Sequence, residues 1–132
     1  MQLTKYSGYI LCATAILHTT VGLIFGWSTL ADMHQSGWFS STIIHGEMNF
    51  QREAITWFLV TGFFWMTLGL TLQTAINQGF SLPSQLGWSF TLIGIGLAYI
   101  MPESGAYLFI VQGGLILFEN AKRGNRISSK VT

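Results

Sequence analysis

Few side chains in this chain can do chemistry, and the one with the clearest claim is His18. It stands inside a long apolar run, where an ionisable group is costly and marks a functional position by default. A neutral imidazole needs a donor and an acceptor satisfied. Thr14, one helical turn earlier, offers a local contact, and Gln112, at comparable depth in a later apolar run, offers a long-range one. Trp65 lies midway along another run within Phe63-Phe64-Trp65; a deep indole needs an acceptor for its N–H and can wall a pocket for a flat apolar ligand. Glu53 and Glu103 open two of the runs, where they can cap helices or flank a pocket mouth. The candidate ligand-binding set is therefore His18, Gln112, Trp65, Glu53 and Glu103.

Other chemistries fit less well. Intramolecular bis-histidine haem requires a second His at matching depth on another helix, and the later runs carry none. Asp32, His34, His45, Glu47 and Glu53 supply nitrogen and oxygen ligands, but their spacing matches no strong metal pattern. Cys12 is the single cysteine, so it closes no intramolecular disulfide. Nothing near it favours a thiolate. No nucleophile has a visible base, and no phosphate-cradling loop occurs. No metal site is expected, and the cofactor is left unknown.

The elements that must position these residues follow from the distribution of charge. Half of the 132 residues are hydrophobic and 8% are charged, against about 25% in an ordinary soluble domain. The net charge of +1 gives no footprint for nucleic acid. No charged residue falls between Lys5 and Asp32, between Glu53 and Glu103, or between Glu103 and Glu119. A bilayer core of roughly 30 Å takes about 20 apolar residues in a helix. The first gap fits one span, residues 6–27, with His18 about 16 Å from either face. The second is too long for one helix, and Asn77, Gln78, Gly79, Ser81 and Pro83 break it into spans at 53–75 and 83–101. After a reversal at Pro102-Glu103-Ser104-Gly105, a fourth span covers 104–120. The expected fold is all-α: one integral membrane domain, a four-helix bundle.

Lys5 precedes the first span, and Lys122, Arg123, Arg126 and Lys130 follow the fourth, in a tail of residues 121–132. Basic residues stay on the cytoplasmic side, so both termini are expected there, with the 28–52 loop in the periplasm. The first span is not read as a cleaved secretory signal, because hydrophobicity continues past Ala13-Thr14-Ala15 to Trp27. Within the loop, Thr29-x-x-Asp32 has the form of a capping box. Leu30, Met33, Trp38 and Phe39 then recur at roughly helical spacing, predicting a short amphipathic helix on the membrane surface. Asn49 is the expected N-cap of the second span. Small-residue pairs, Gly22 with Gly26 and Gly94 with Ala98, suit close helix packing inside one bundle; Gly22/Gly26 also offers a homodimer face.

Several short segments, Leu17-His18-Thr19-Thr20-Val21-Gly22, Gly37-Trp38-Phe39, Trp57-Phe58, Leu82-Pro83, Leu86-Gly87-Trp88 and Met101-Pro102-Glu103-Ser104-Gly105, together cover most of the chain. On them the sequence resembles a family of small four-helix bacterial inner-membrane proteins known only as a domain of unknown function. The resemblance implies the architecture and carries no reaction. Two functions remain open. One is an accessory or ligand-binding subunit without a catalytic constellation, meeting another membrane protein through Trp38, Phe39 and His45 of the 28–52 loop. The other is a small membrane enzyme or redox protein holding an isoprenoid, quinone or haem-like ligand around His18.

Overall fold

A helix closes the hydrogen bonds of a long apolar stretch within the stretch itself, and the long apolar runs of this chain are helical. The computed structural model describes residues 3–128, with side chains over residues 5–122; the basic side chains Arg123, Arg126 and Lys130 lie outside them. A short 3-10 turn, Leu3–Tyr6, leads into α1 (Ser7–Phe25), followed by α2 (Trp27–Gln35), a two-stranded hairpin β1 (Ile43–Ile44) and β2 (Glu47–Met48), then α3 (Phe50–Asn77), α4 (Ser84–Ile100) and α5 (Tyr107–Ser128). Of these, α1 and α3 are long and apolar enough to cross a membrane. The fold is therefore all-α apart from one small hairpin.

The residues group into two compact units, one of residues 12–67 and one of residues 1–11 with 68–132. In the first, α1 and α3 run antiparallel at close approach. A methyl group added at Gly22 would come within 2.6 Å of the Phe58 ring, and one at Gly26 would meet the Ile55 side chain. The Gly22/Gly26 stripe thus faces α3 of its own chain. The helical ladder continues through Gly26, which donates to the Gly22 carbonyl (2.8 Å) and accepts from the Leu30 amide (2.9 Å). This overturns the capping box expected at Thr29-x-x-Asp32. Helix α2 starts at Trp27, behind Gly26, and no side chain caps it. Thr29 thereby falls inside the first turn of α2 instead of ahead of it, where a capping side chain would have to stand. The Thr29 hydroxyl instead accepts from Gln51 Nε2 (3.1 Å). A helix is present in the loop, burying Thr29 and Met33 one turn apart, but it ends at Gln35, so Trp38 and Phe39, expected on its face, fall outside it.

The hairpin pairs Ile43 with Met48 and Ile44 with Glu47, leaving His45-Gly46 as its two-residue turn. Both turn residues have positive φ, 54° and 81°, as a type I′ turn demands. Arg52 Nη1 donates to the Ser41 carbonyl (2.8 Å) and so ties this segment to the start of α3. Asn49 caps α3 as expected, its Oδ1 accepting from the Arg52 amide (3.0 Å).

In the second unit α4 and α5 pair antiparallel around Phe90, Ala106, Phe109 and Ile116. Glycines again set the distance: Gly113 abuts the Gly87 carbonyl and Gly94 abuts Ile110. The buried polar side chains of this unit turn to backbone. Gln112 Nε2 donates to the Ser7 carbonyl (2.8 Å) and hydroxyl (3.2 Å). Gln73 Nε2 donates to the Lys5 carbonyl (2.9 Å), while its Oε1 accepts from the Tyr9 amide (3.2 Å). One amide thereby serves both a carbonyl and an N–H at the chain's first turns, where helix ends leave such groups orphaned.

Gly113 and Gly114 make a paired test of this packing. A methyl at Gly113 would lie 2.5 Å from the Gly87 carbonyl and 2.7 Å from the Thr91 amide, backbone that has no rotamer to yield, whereas one at Gly114 meets nothing within 4 Å. Gly113→Ala should destabilise by about 1–3 kcal/mol. Gly114→Ala should be neutral or stabilise by up to about 1 kcal/mol. Unfolding midpoints of the two variants in the same mild detergent check both signs.

Candidate functional site

On α3, Phe58, Gly62 and Trp65 are spaced four and three residues apart, so they share one face of the helix. Glycine at the centre leaves a gap between two aromatic side chains, and the His18 imidazole of α1 enters it. The His18 ring stacks on Phe58 with centroids 3.7 Å apart and planes 14° from parallel. It lies 4.6 Å from the Trp65 ring at a tilt of 48°. Its Nε2 is 3.0 Å from the Phe58 carbonyl oxygen. A carbonyl only accepts, so Nε2 carries the proton, and in the neutral ring Nδ1 is left with the lone pair.

The reason for Gly62 is local. In an α-helix the side chain of residue i+4 stands near the carbonyl of residue i, so glycine at 62 leaves the Phe58 oxygen open to an outside donor. A methyl at Gly62 would come within 3.2 Å of His18 Cδ2 and would also collide with the Thr19 hydroxyl. The second lone pair of the Phe58 carbonyl is thus used by a side chain of another helix. His18 is half-buried by this arrangement.

Beside the cradle lies an open groove of about 290 Å³ between α1 and α3, walled by Ile16, Thr19, Leu59, Gly62, Phe63 and Met66. Its lining is almost wholly apolar, with Thr19 and Thr20 contributing hydroxyls. Cys12, buried nearby in the sequence of α1, directs Sγ at the Met66 carbonyl (3.9 Å), a weak contact that suits a packing residue.

The structure brings together two of the residues singled out from the sequence, His18 and Trp65. The expected His18–Gln112 partnership is replaced by separate ones. His18 bonds the Phe58 carbonyl, and Gln112, itself buried, bonds Ser7. In each case the partner is a backbone carbonyl of the residue's own unit. Glu53 stands in the first turn of α3, as expected. Glu103 does not open a helix: α5 begins at Tyr107 with no acidic residue in its first turn, and Glu103 sits exposed in the preceding turn. Trp38, Phe39 and His45 are all exposed, and His34 lies 6.0 Å from Trp38, ring to ring. Among the described residues no three His, Cys, Asp or Glu side chains converge as a metal site would need. Sequence reading missed Phe58, Gly62 and Thr19. The Phe58-x-x-x-Gly62-x-x-Trp65 spacing was the available signal, but it gains meaning only with the antiparallel register of α1 and α3.

Two observations check the cradle. Histidine-selective ¹⁵N spectra should show Nε2–H as the tautomer of the neutral ring, and the ring C–H resonances should lie upfield through Phe58 stacking. Phe58→Leu should abolish most of that displacement while keeping the tautomer, since the carbonyl remains. Gly62→Ala should disturb both and lower stability by about 1–3 kcal/mol through the forced contact with His18 and Thr19.

The chain matches the model of a family of unknown function, DUF6463, over residues 2–123. No curated protein and no solved structure matches it. The chain belongs to the DUF6463 family.

Proposed function

We propose that this DUF6463 member is a small polytopic protein of the bacterial inner membrane, a four-helix bundle serving as an accessory or ligand-binding subunit. In this reading α1, α3, α4 and α5 are the spans, both termini are cytoplasmic, and the segment from α2 to the hairpin faces the periplasm. One observation carries it: the polarity of the chain is inverted relative to a water-soluble protein. Gln112 and Gln73 are 1% and 4% exposed, whereas Phe25, Phe63 and Tyr99 are 84%, 74% and 90% exposed. Water penalises large exposed apolar surfaces of this kind. Lipid accepts them, and there the buried amides gain by bonding backbone instead of facing hydrocarbon.

The exposed Trp38 and Phe39, with His45 at the hairpin tip, supply the surface through which another membrane protein would be met. The ligand-binding half of the reading rests on the cradle and groove. An imidazole held between Phe58 and Trp65 beside an apolar cleft suits an isoprenoid, quinone or haem-like molecule. Such a ligand is also what a small redox protein or enzyme of this architecture would hold, which makes that the second reading.

Topology and occupancy test the two parts separately. A reporter fused at the C-terminus should be active only in a cytoplasmic form, and one inserted at residues 40–44 only in a periplasmic form; the opposite pattern overturns the orientation. Protein purified in mild detergent should then be analysed by absorption, metal analysis and native mass spectrometry. A stoichiometric apolar ligand that His18→Ala loses, while still folding, supports the pocket. A ligand-free wild type that crosslinks through residues 36–48 in native membranes supports the accessory role.

A further inference from the structure

The groove between α1 and α3 contains one polar group with nothing to bond. Thr20, Thr56, Thr61, Thr67, Thr74 and Thr91 each donate their hydroxyl to the carbonyl four residues earlier. Thr19 does not. Among the described residues its Oγ1 has no hydrogen-bond partner, although Thr19 is half-buried. The hydroxyl sits over Gly62, where a methyl group would strike it, and it lines the groove with Ile16, Leu59, Phe63 and Met66. Thr19 adjoins His18 in the chain, and Gly62 serves both: it leaves the Phe58 carbonyl open to His18 and leaves room for Thr19 Oγ1.

We propose that this groove binds a neutral lipid-soluble molecule bearing a carbonyl, of the quinone class, whose oxygen accepts a hydrogen bond from Thr19. The proposal rests on the membrane and ligand-binding reading above. Depth selects the class. Thr19 lies three residues from the midpoint of α1 and Gly62 one to two residues from that of α3, about 5 Å or less along either axis. The ester carbonyls of bilayer phospholipids lie at the edge of the hydrocarbon core, about 15 Å from its centre. They do not reach this hydroxyl. An acceptor at such depth belongs to a molecule whose polar group dissolves in the core together with its tail. The apolar walls, Phe63 among them, then take the ring and the first part of the tail. In lipid an unpaired O–H has no water to turn to, so a single well-placed carbonyl is distinguished from a hydrocarbon of the same shape.

The test uses the full chain in phosphatidylcholine nanodiscs, with decyl-1,4-benzoquinone as probe and decylbenzene as its carbonyl-free counterpart. Native mass spectrometry reads occupancy, and infrared spectroscopy of ¹³C=O-labelled quinone reads the hydrogen bond. One quinone should bind per chain, with decylbenzene at least about tenfold weaker, the scale of one net hydrogen bond. The bound C=O stretch should fall to lower wavenumber. Thr19→Val should bring quinone affinity down to the decylbenzene level and restore the stretch, while Thr19→Ser should retain both. If Thr19→Val keeps wild-type melting and wild-type quinone affinity, the Thr19 assignment is overturned while ligand binding stands. An unshifted stretch in the wild type overturns it without recourse to any variant. Equal binding of quinone and decylbenzene reduces the groove to an acyl-chain contact, and a wild type that takes up neither overturns the ligand-binding reading as well.

Discussion

Backbone-to-backbone proximity, permitted by glycine, is the constraint on which the rest of this structure depends. Gly22 and Gly26 allow α1 to lie against Phe58 and Ile55 of α3, and Gly87, Gly94 and Gly113 do the same for α4 and α5. Helices that approach so closely gain dispersion contacts along their whole length, and they place carbonyl oxygens within reach of side chains on the neighbouring helix. A chain with this little polar surface has few other means of specifying register.

The polar side chains use that proximity in a consistent way. Gln112, Gln73 and His18 each bond a backbone carbonyl, Gln112 reaching the Ser7 hydroxyl and Gln73 the Asn77 side chain as well, and Asn120 donates to the Leu82 carbonyl as well as to the Ser84 hydroxyl. A helical carbonyl retains a second lone pair after its ladder bond, so it accepts an additional donor without breaking the helix. The cradle at His18 is the most developed instance. Gly62 opens one carbonyl, Phe58 and Trp65 orient the ring that bonds it, and the same missing side chain leaves the Thr19 hydroxyl at the wall of a groove. Helix packing and site formation are consequently one event in the 12–67 unit, and a single methyl at residue 62 acts on both.

The segment between α1 and α3 follows a different logic. It is held by short-range polar closure: the ladder running through Gly26, the Asn49 cap, Arg52 on the Ser41 carbonyl, and the type I′ turn at His45-Gly46. That turn gives His45 a structural placement at a hairpin tip, since its backbone must take positive φ there. The aromatic residues ahead of the hairpin, Trp38 and Phe39, are left on the outside.

Charge-free runs and turn residues by themselves determined the helices, because a helix is a local solution whose hydrogen bonds close within the segment that forms it. The breaks at Gly79-Pro83 and Pro102-Gly105 and the cap at Asn49 were legible for the same reason. So was the suspicion attached to His18 and Trp65, each a side chain unlike its surroundings. Partners were not legible. Phe58, Gly62 and Thr19 look like ordinary residues of an apolar run until α1 meets α3 in one register, and Gln112 matches His18 by sequence position while each bonds a backbone carbonyl of its own unit. Which carbonyl is open, and which hydroxyl lacks one, is decided by the approach of two helices distant in sequence; only the tertiary structure fixes that, because hydrogen bonding across helices depends on distances of about 3 Å that no periodicity encodes.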